Sequence, residues 1–595
     1  MEARLLVKTT MTDLTDIIDV ARGEAPADIL LKDAFVVNVF TGEVLKASVA
    51  IKGSVTAGVG DYTRGREVVH LNGKYLLPGL IDGHIHLESS LLTPGGFAAA
   101  AVPQGTTTVI ADPHEIVNVA GLDGLRYMIE ASQGLPLEIF YMIPSCVPAT
   151  HLETAGAVIG PEEIRKAFEI CPQSPGLAEM MNFPGVYRKM PGVLAKIKVA
   201  RDENRLIDGH APTLSGKDLN AYIGAGILTE HECTSTEEAR EKLCLGMRLI
   251  IREGSAAKNL LALLPVVNEK TCPNIFFGCD DLHPADLLFA GGINKILRKS
   301  VAAGLDPVMA VRMATINPAR HYNLPGLGGI APGYQADLVI VDNLTNFRAE
   351  MVYKKGNLVA RNGKILCRPP AVINEKVLKT VHLPNLKGKL ALPKPLRDSL
   401  ARVIQVFPDQ ILTGSLLLPA GKIAAAQDIA RVAVVERYGK NGNVALGLVK
   451  GFGQINGALA STVAHDSHNI ILVGTNEEDM EFAARTIAAL DGGLTVVSAK
   501  KALASLALPV AGLMSTQDAA TIAAQHEKLH ESARKIGCIL PSPFMTMSFL
   551  ALPVIPELRI TDRGLVDVHR FEFVDLWGQP NSFHHPRPFS PDNLR

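Results

Sequence analysis

Between residues 76 and 320 the sequence alternates, eight times over, a short apolar run of strand character with a longer stretch of helical pattern. The strand candidates are Tyr75–Ile81, Thr106–Ile110, Leu137–Ile143, Gly176–Met180, Arg205–Asp208, Gly226–Thr229, Arg248–Ile251 and Asn274–Phe277. Short, nearly continuous apolar runs bounded by turn residues are the mark of parallel strands buried on both faces. Helical stretches lie between them, for example Glu162–Ile170, Gly192–Glu203 and Ser255–Val267, and Ser235 followed by Glu238 has the spacing of a capping box. Eight such β/α units in roughly 240 residues predict an α/β fold built on a (β/α)₈, TIM-like barrel, with a doubly wound open sheet as the rival.

A chain of 595 residues is too long for one core, so further domains are expected. Short β-type runs at Ile29–Val37, Val44–Ile51 and Val68–Leu71 have counterparts far downstream at Leu338–Val341, Met351–Lys354 and Leu358–Ala360. The second set follows a turn-rich phrase, G-G-I-A-P-G-Y-Q-A-D-L-V-I-V-D at 328–342. Both sets are expected to form one small β-sandwich domain, 27–75 with 321–368, interrupted by the barrel at 76–320. A proline-rich linker near 368–370 then leads to a mixed α/β C-terminal domain, 369–595. Residues 1–26 read as an N-terminal helical segment, and Asp13, Asp16 and Asp19 argue against a secretory signal there.

The longest apolar run, Ala502–Met514, contains a proline and is too short to span a bilayer. A net charge of −1 lacks the basic excess that nucleic acid or an anionic membrane would require, so neither is expected as a partner. Eight cysteines without a C-x-x-C pair fit neither a disulfide framework nor a Cys₄ zinc site, and a cytoplasmic setting is expected. Cys233 and Cys279 are read as packing residues.

Barrel active sites lie at the C-terminal ends of the strands. The first strand runs into P-G-L-I-D-G-H-I-H, where His84 and His86, two apart, point to the same side. Glu179 ends the fourth strand, His210 the fifth, His231 the sixth and Asp280 the eighth. Any one of these is unremarkable alone, but in phase with eight strands they read as a metal site. Six ligands exceed what one catalytic ion with an open position needs. Two divalent ions fit better, with Glu179 bridging, His84, His86 and Asp280 on one ion, and His210 and His231 on the other. The mixed N and O donors suit Mn²⁺, Fe²⁺ or Zn²⁺.

At this point the sequence resembles the amidohydrolase superfamily and, within it, the adenine deaminases of bacteria. The general phrase is P-G-L-I-D-G-H-I-H at 78–86. More specific are H-L-E-S-S at 86–90, T-T-T-V-I-A-D-P-H-E at 106–115, A-E-M-M-N-F-P-G-V at 178–186, D-G-H-A-P at 208–212, T-E-H-E at 229–232, G-C-D-D at 278–281 and G-A-L-A-S-T-V-A-H-D-S-H-N at 457–469. The resemblance implies hydrolytic deamination of adenine to hypoxanthine and ammonia by a metal-activated hydroxide, in purine salvage. The alternatives are another cyclic amidohydrolase or deacetylase, or a scaffold homologue without activity. Glu179 stands where hydantoinases and dihydroorotases carry a carboxylated lysine, and Thr213 stands where mononuclear deaminases carry a glutamate.

Asp280 is the expected proton shuttle. Glu88, Ser89, Asp112, His114, Glu115 and Asp281 are expected to line the purine pocket, and one acid, with Glu88 and Glu232 among the candidates, is expected to act at N1 of the base. A homo-oligomer, taken as a dimer, is expected. The polar group His465-Asp466-Ser467-His468-Asn469 is read as a structural turn.

Overall fold

The computed structural model describes residues 13–255, 257–367, 369–370, 372–395, 398–408, 410–423 and 428–579. The chain divides into two units. One holds the chain up to Asp112, Met128–Ile143 and Ile164–Val372; the other holds Pro113–Tyr127, Pro144–Glu163 and the chain from Ile373.

In the first unit the apolar runs form parallel strands, Leu80–His86, Thr106–Ala111, Glu138–Tyr141, Gly176–Met180, Leu206–Gly209, Thr229–Glu230, Arg248–Arg252 and Ile275–Gly278. Neighbours in sequence are neighbours in space. Strands one to three pair in register Ile85↔Ala111 and Ile110↔Phe140, and a bridge at Ile143↔Leu177 carries the order to the fourth. The fourth pairs with the fifth, the Leu228 N–H donates to the Ile207 carbonyl between fifth and sixth, and the sixth to eighth pair in turn. Beyond the eighth, Asp280–Asp281 pairs with Ile85–His86 of the first. Ile81, Ile110, Ala178, Ile250 and Phe276, one from each of five strands, meet Met142, the residue after the third strand, in a single buried cluster. That common core explains the unbroken apolar character of the runs.

Two expectations need correction. The expected strand Tyr75–Ile81 is two strands split at Gly79. Tyr75–Pro78 joins the small sheet, and Leu80–His86 is the first parallel strand. The split requires glycine, because a Cβ at residue 79 would lie 2.1 Å from Thr107 Oγ1. The expected helix Ser255–Val267 contracts to Leu260–Leu263 and a 3₁₀ turn, Leu264–Val266. Pro265 lacks the N–H that a continuing helix needs, and Ser255 is drawn away by its N–H bond to the Asp281 carbonyl and its hydroxyl bond to Asp286. Of the N-terminal helix, Leu14–Ala21 is present, capped by the Asp13 side chain, and residues 1–12 lie outside the described residues.

The small sheet joins both flanks of the parallel strands. Its order runs from Lys364–Ile365 through Asn357–Arg361, Ala349–Lys354 and Leu338–Val341 to Tyr75–Pro78, then Ala27–Asn38, Glu43–Lys52 and Val55–Gly60. Lys354 ties this sheet to the parallel strands. Its buried ammonium donates to Asp337 Oδ2 at 2.6 Å, Glu138 Oε2 at 3.0 Å and the Thr107 carbonyl at 3.0 Å. Burial alone would raise the Glu138 carboxyl, but Lys354, with Gln335 and Lys355, outweighs it and brings the pKa from 4.5 to about 2.

Lys354→Met strands the buried Asp337 charge and is expected to cost about 3–5 kcal/mol in urea unfolding at pH 7. Because the Glu138 pKa is depressed on folding, its part of that loss is present above about pH 4.5 and fades as pH falls toward 2. The gap between wild type and variant should therefore narrow in acid, and an equal or wider gap there would remove Glu138 from the account.

In the second unit a mixed sheet has the order Thr413–Pro419, Leu400–Val406, Val444–Lys450, Ile429–Val435, Ile470–Gly474, Ala458–Ser461, Gly493–Ser498, Lys501–Ala507. Its helix Glu477–Ala489 buries Met480, Ala483, Ala484 and Ile487 against Leu472 and Val497 of the sheet.

Candidate metal centre

The ends of the parallel strands bring together all six expected metal ligands. His84 and His86 lie on the first strand with ring centroids 4.9 Å apart, and the His84 ring stacks on His231 at 4.2 Å. The His86 Nδ1–H is placed to donate to the Asp112 carbonyl at 3.0 Å, which leaves the Nε2 lone pair facing inward. His84 Nε2 is buried and has no hydrogen-bond partner. It lies 3.7 Å from Asp280 Oδ1, while His86 Nε2 lies 3.2 Å from the same oxygen.

Glu179 divides its oxygens. Oε1 is 3.4 Å from His86 Nε2, whereas Oε2 is 2.7 Å from His210 Nδ1 and 3.1 Å from His231 Nε2. Asp280 has φ +60°, a left-handed conformation uncommon outside glycine, of the kind that clusters at functional sites.

The electrostatics favour a cation. Burial, with His231 and His86 close by, holds the His84 pKa well below its usual value, so the ring is neutral and its lone pair is available. Burial alone would lower His231, but Glu179 and the other carboxylates outweigh it and lift the imidazole to about 9; Glu232 and Glu179 likewise raise His210. Burial alone would raise Glu179 and Asp280, yet the histidines hold the first, and Arg252 with His86 the second, well below the carboxylate range. Protons drawn onto His210 and His231 stand where a divalent ion would supply the same charge. The orphaned His84 Nε2 and this donor set both fit metal.

Other expected residues fall into two groups. Glu88 and Ser89 sit buried on the turn Leu87–Ser90 directly after His86, and the Ser89 hydroxyl donates to Asp281 Oδ1. A carboxylate oxygen of Asp112 lies within 4.8 Å of ligand atoms of His86 and Glu179. Glu232 Oε1 is 3.7 Å from His210 Nδ1 and 3.6 Å from His231 Nε2. His114 and Glu115 fall in the second unit by the division of the chain, where they open the helix His114–Ala131.

There Glu115 meets the 465–469 segment. The His465 Nδ1–H and the His468 Nε2–H are both placed to donate to its carboxylate, the former at 2.6 Å. His468 Nδ1 accepts from the Ala464 N–H at 3.1 Å, which fixes the tautomer and puts the proton on Nε2. These three side chains are therefore a hydrogen-bonded set in which that nitrogen has no lone pair for an ion. Ser467 donates to Glu153 at 2.5 Å and Asn469 to the Thr154 carbonyl at 2.7 Å.

Sequence reasoning missed Arg252. It ends the seventh strand, 5% exposed, and its guanidinium clasps both oxygens of Glu232 while donating to Asp280 Oδ2 at 2.5 Å. The signal was an arginine closing the apolar run Leu249–Ile251 at the end that faces the ligands. Cys233 and Cys279 are buried as expected. At Thr213 the backbone N–H donates to Glu238 at 2.7 Å.

Comparison with known proteins places these observations. The profile "Amidohydrolase family" matches residues 75–365, and "Adenine deaminase C-terminal domain" matches 414–572. An adenine deaminase of Kosmotoga olearia is 47% identical over 574 residues, covering 95% of this chain and 99% of its own. One from Dehalococcoides mccartyi is 48% identical over 569 residues, with 95% and 99% covered. One from Methanothrix thermoacetophila is 45% identical over 571 residues, with the same coverage.

Proposed function

The chain belongs to the adenine deaminases of the amidohydrolase superfamily, metal-dependent hydrolases acting on adenine, and from that premise we propose that a binuclear centre carries the reaction. The observation that supports two ions is Glu179, whose two oxygens face different histidines. His84, His86 and Asp280 would hold one ion and His210 and His231 the other, with Glu179 between them. The sequential pairing of the eight strands and the return of Asp280–Asp281 to the first strand support reading the scaffold as a closed (β/α)₈ barrel. The ions are Mn²⁺ or Fe²⁺ in this reading, with Zn²⁺ also compatible with the donors.

Bound there, the ions supply a water acidic enough to lose its proton near pH ~7. Asp280 takes that proton and delivers it to the departing amino group, acting as base and then acid. Its Oδ1 faces the histidines and its Oδ2 is held by Arg252, so the carboxylate cannot swing away from the reacting atoms. Water adds at C6, the carbon becomes tetrahedral, ammonia leaves and hypoxanthine remains. Glu232 has both oxygens engaged by Arg252 and shapes the site. That leaves Glu88, on the turn after His86, as the acid at N1, with Asp112 and the Ser89–Asp281 pair bordering the base. A purine-base substrate supports a role in purine salvage. The eight cysteines, none of them paired, suit a reducing cytoplasm.

Metal-loaded protein given adenine should release one ammonia for each hypoxanthine formed, read by a coupled ammonia assay and by ultraviolet absorbance. Silence on adenine together with turnover of a hydantoin or an N-acetyl sugar would move the chain to another branch of the superfamily.

A further inference from the structure

His210 and His231 each lie one residue past the end of a strand, where the ladder between the fifth and sixth strands has stopped. Something else must hold the two loops in register. Glu230 is fully buried, and its carboxylate spans the gap: Oε2 accepts the Ala211 N–H at 2.9 Å and Oε1 accepts the Glu232 N–H at 2.5 Å. One acceptor group thus fixes the residue after His210 and the residue after His231. Lys242, 1% exposed on the helix Thr236–Cys244, lies 3.2 Å from Glu230 Oε2. Its ammonium also donates to the Ala211 carbonyl and to Glu238 Oε1, each at 2.7 Å, and Glu238 takes the Thr213 N–H. A buried lysine held by two carboxylates and a carbonyl is costly to desolvate, and its geometry serves the two loops rather than the apolar core.

We infer that Glu230 and Lys242 are positioning residues for the His210/His231 half of the metal centre, and that they set how tightly that half holds its ion while leaving the His84/His86/Asp280 half intact. The inference rests on the binuclear reading. Through these contacts each fixes backbone beside a ligand, as groups beyond the ligands do in other metal sites.

The test uses the full chain, stripped of metal and titrated with Mn²⁺, with bound metal read by elemental analysis and the coupling between two Mn²⁺ ions read by electron paramagnetic resonance. Lys242→Met and Glu230→Gln are expected to weaken one of the two binding steps about 10–100-fold. At limiting metal the coupled spectrum should give way to that of an isolated ion. Lys242→Arg, which keeps the charge, should restore much of the second step. Both steps unchanged in Glu230→Gln, or both weakened alike, overturns the inference. Loss of fold in both variants, followed by the thermal transition of the apoprotein, assigns the pair to general stability and overturns it too. A wild-type chain that saturates at one ion is a different failure, visible before any substitution, and removes the binuclear reading itself.

Discussion

Asp280→Asn, metal-replete, is expected to deaminate adenine about 10²–10⁴-fold more slowly in kcat, the range for a lost general acid–base group. The amide is nearly the size of the carboxylate, so packing at this buried position is preserved. It cannot take a proton from water near neutral pH, and that is the missing step. It also meets a geometric conflict. Asp280 gives one oxygen to the histidine cluster and the other to the Arg252 guanidinium. An amide has one oxygen, so its NH₂ must face either the metal position or a guanidinium donor. Metal affinity is therefore expected to fall as well, and the assay must be run at saturating metal with content measured. Near-normal kcat at full metal content would remove Asp280 as the proton carrier. A slow variant whose rate recovers completely with added metal would make it a ligand only.

Removal of metal is expected to abolish activity, with restoration only as the second equivalent is added. The same titration should release protons. Without an ion, Glu179 and its neighbours lift the His231 imidazole to about 9, so at pH 7 this ring carries a proton that a metal must expel, and His210 is shifted in the same direction. In weak buffer the pH should drop on metal addition. Metal affinity should weaken as pH falls, since protons compete for the same nitrogens. Metal should also stabilise the folded chain, by about 4 kcal/mol when free metal exceeds Kd ~1,000-fold. Full activity with one ion per chain would contradict the binuclear centre. Metal uptake without proton release would contradict a protonated His231.

The histidine and carboxylate cluster was legible because parallel strands paired in sequence order end at one face, so side chains at successive strand ends converge there. His84 and His86 declare themselves by a two-residue spacing, and Glu179 by standing where a lysine would be in other branches. Arg252, Glu230 and Lys242 were not legible. Each acts on a residue distant in sequence, 28 positions in the case of Arg252 and Asp280, and no local pattern records such a pairing. The break at Gly79 was hidden for a related reason. Tyr75–Pro78 and Leu80–His86 form one apolar run, and only the identity of the partner strands shows that the run serves two sheets.

The small sheet, whose halves flank the parallel strands, has a consequence during synthesis. Strand Tyr75–Pro78 leaves the ribosome roughly 260 residues before Leu338–Val341, its partner on one edge, a wait of ~13–50 s at typical elongation rates. For that time a nascent chain carries an apolar strand with an open hydrogen-bonding edge, next to Ala27–Asn38, which is already able to pair with it. The half-built sheet is a template for intermolecular pairing on crowded polysomes. Translation speed and chaperone supply, as much as the stability of the finished enzyme, will set how much of it can be recovered from an expressing cell.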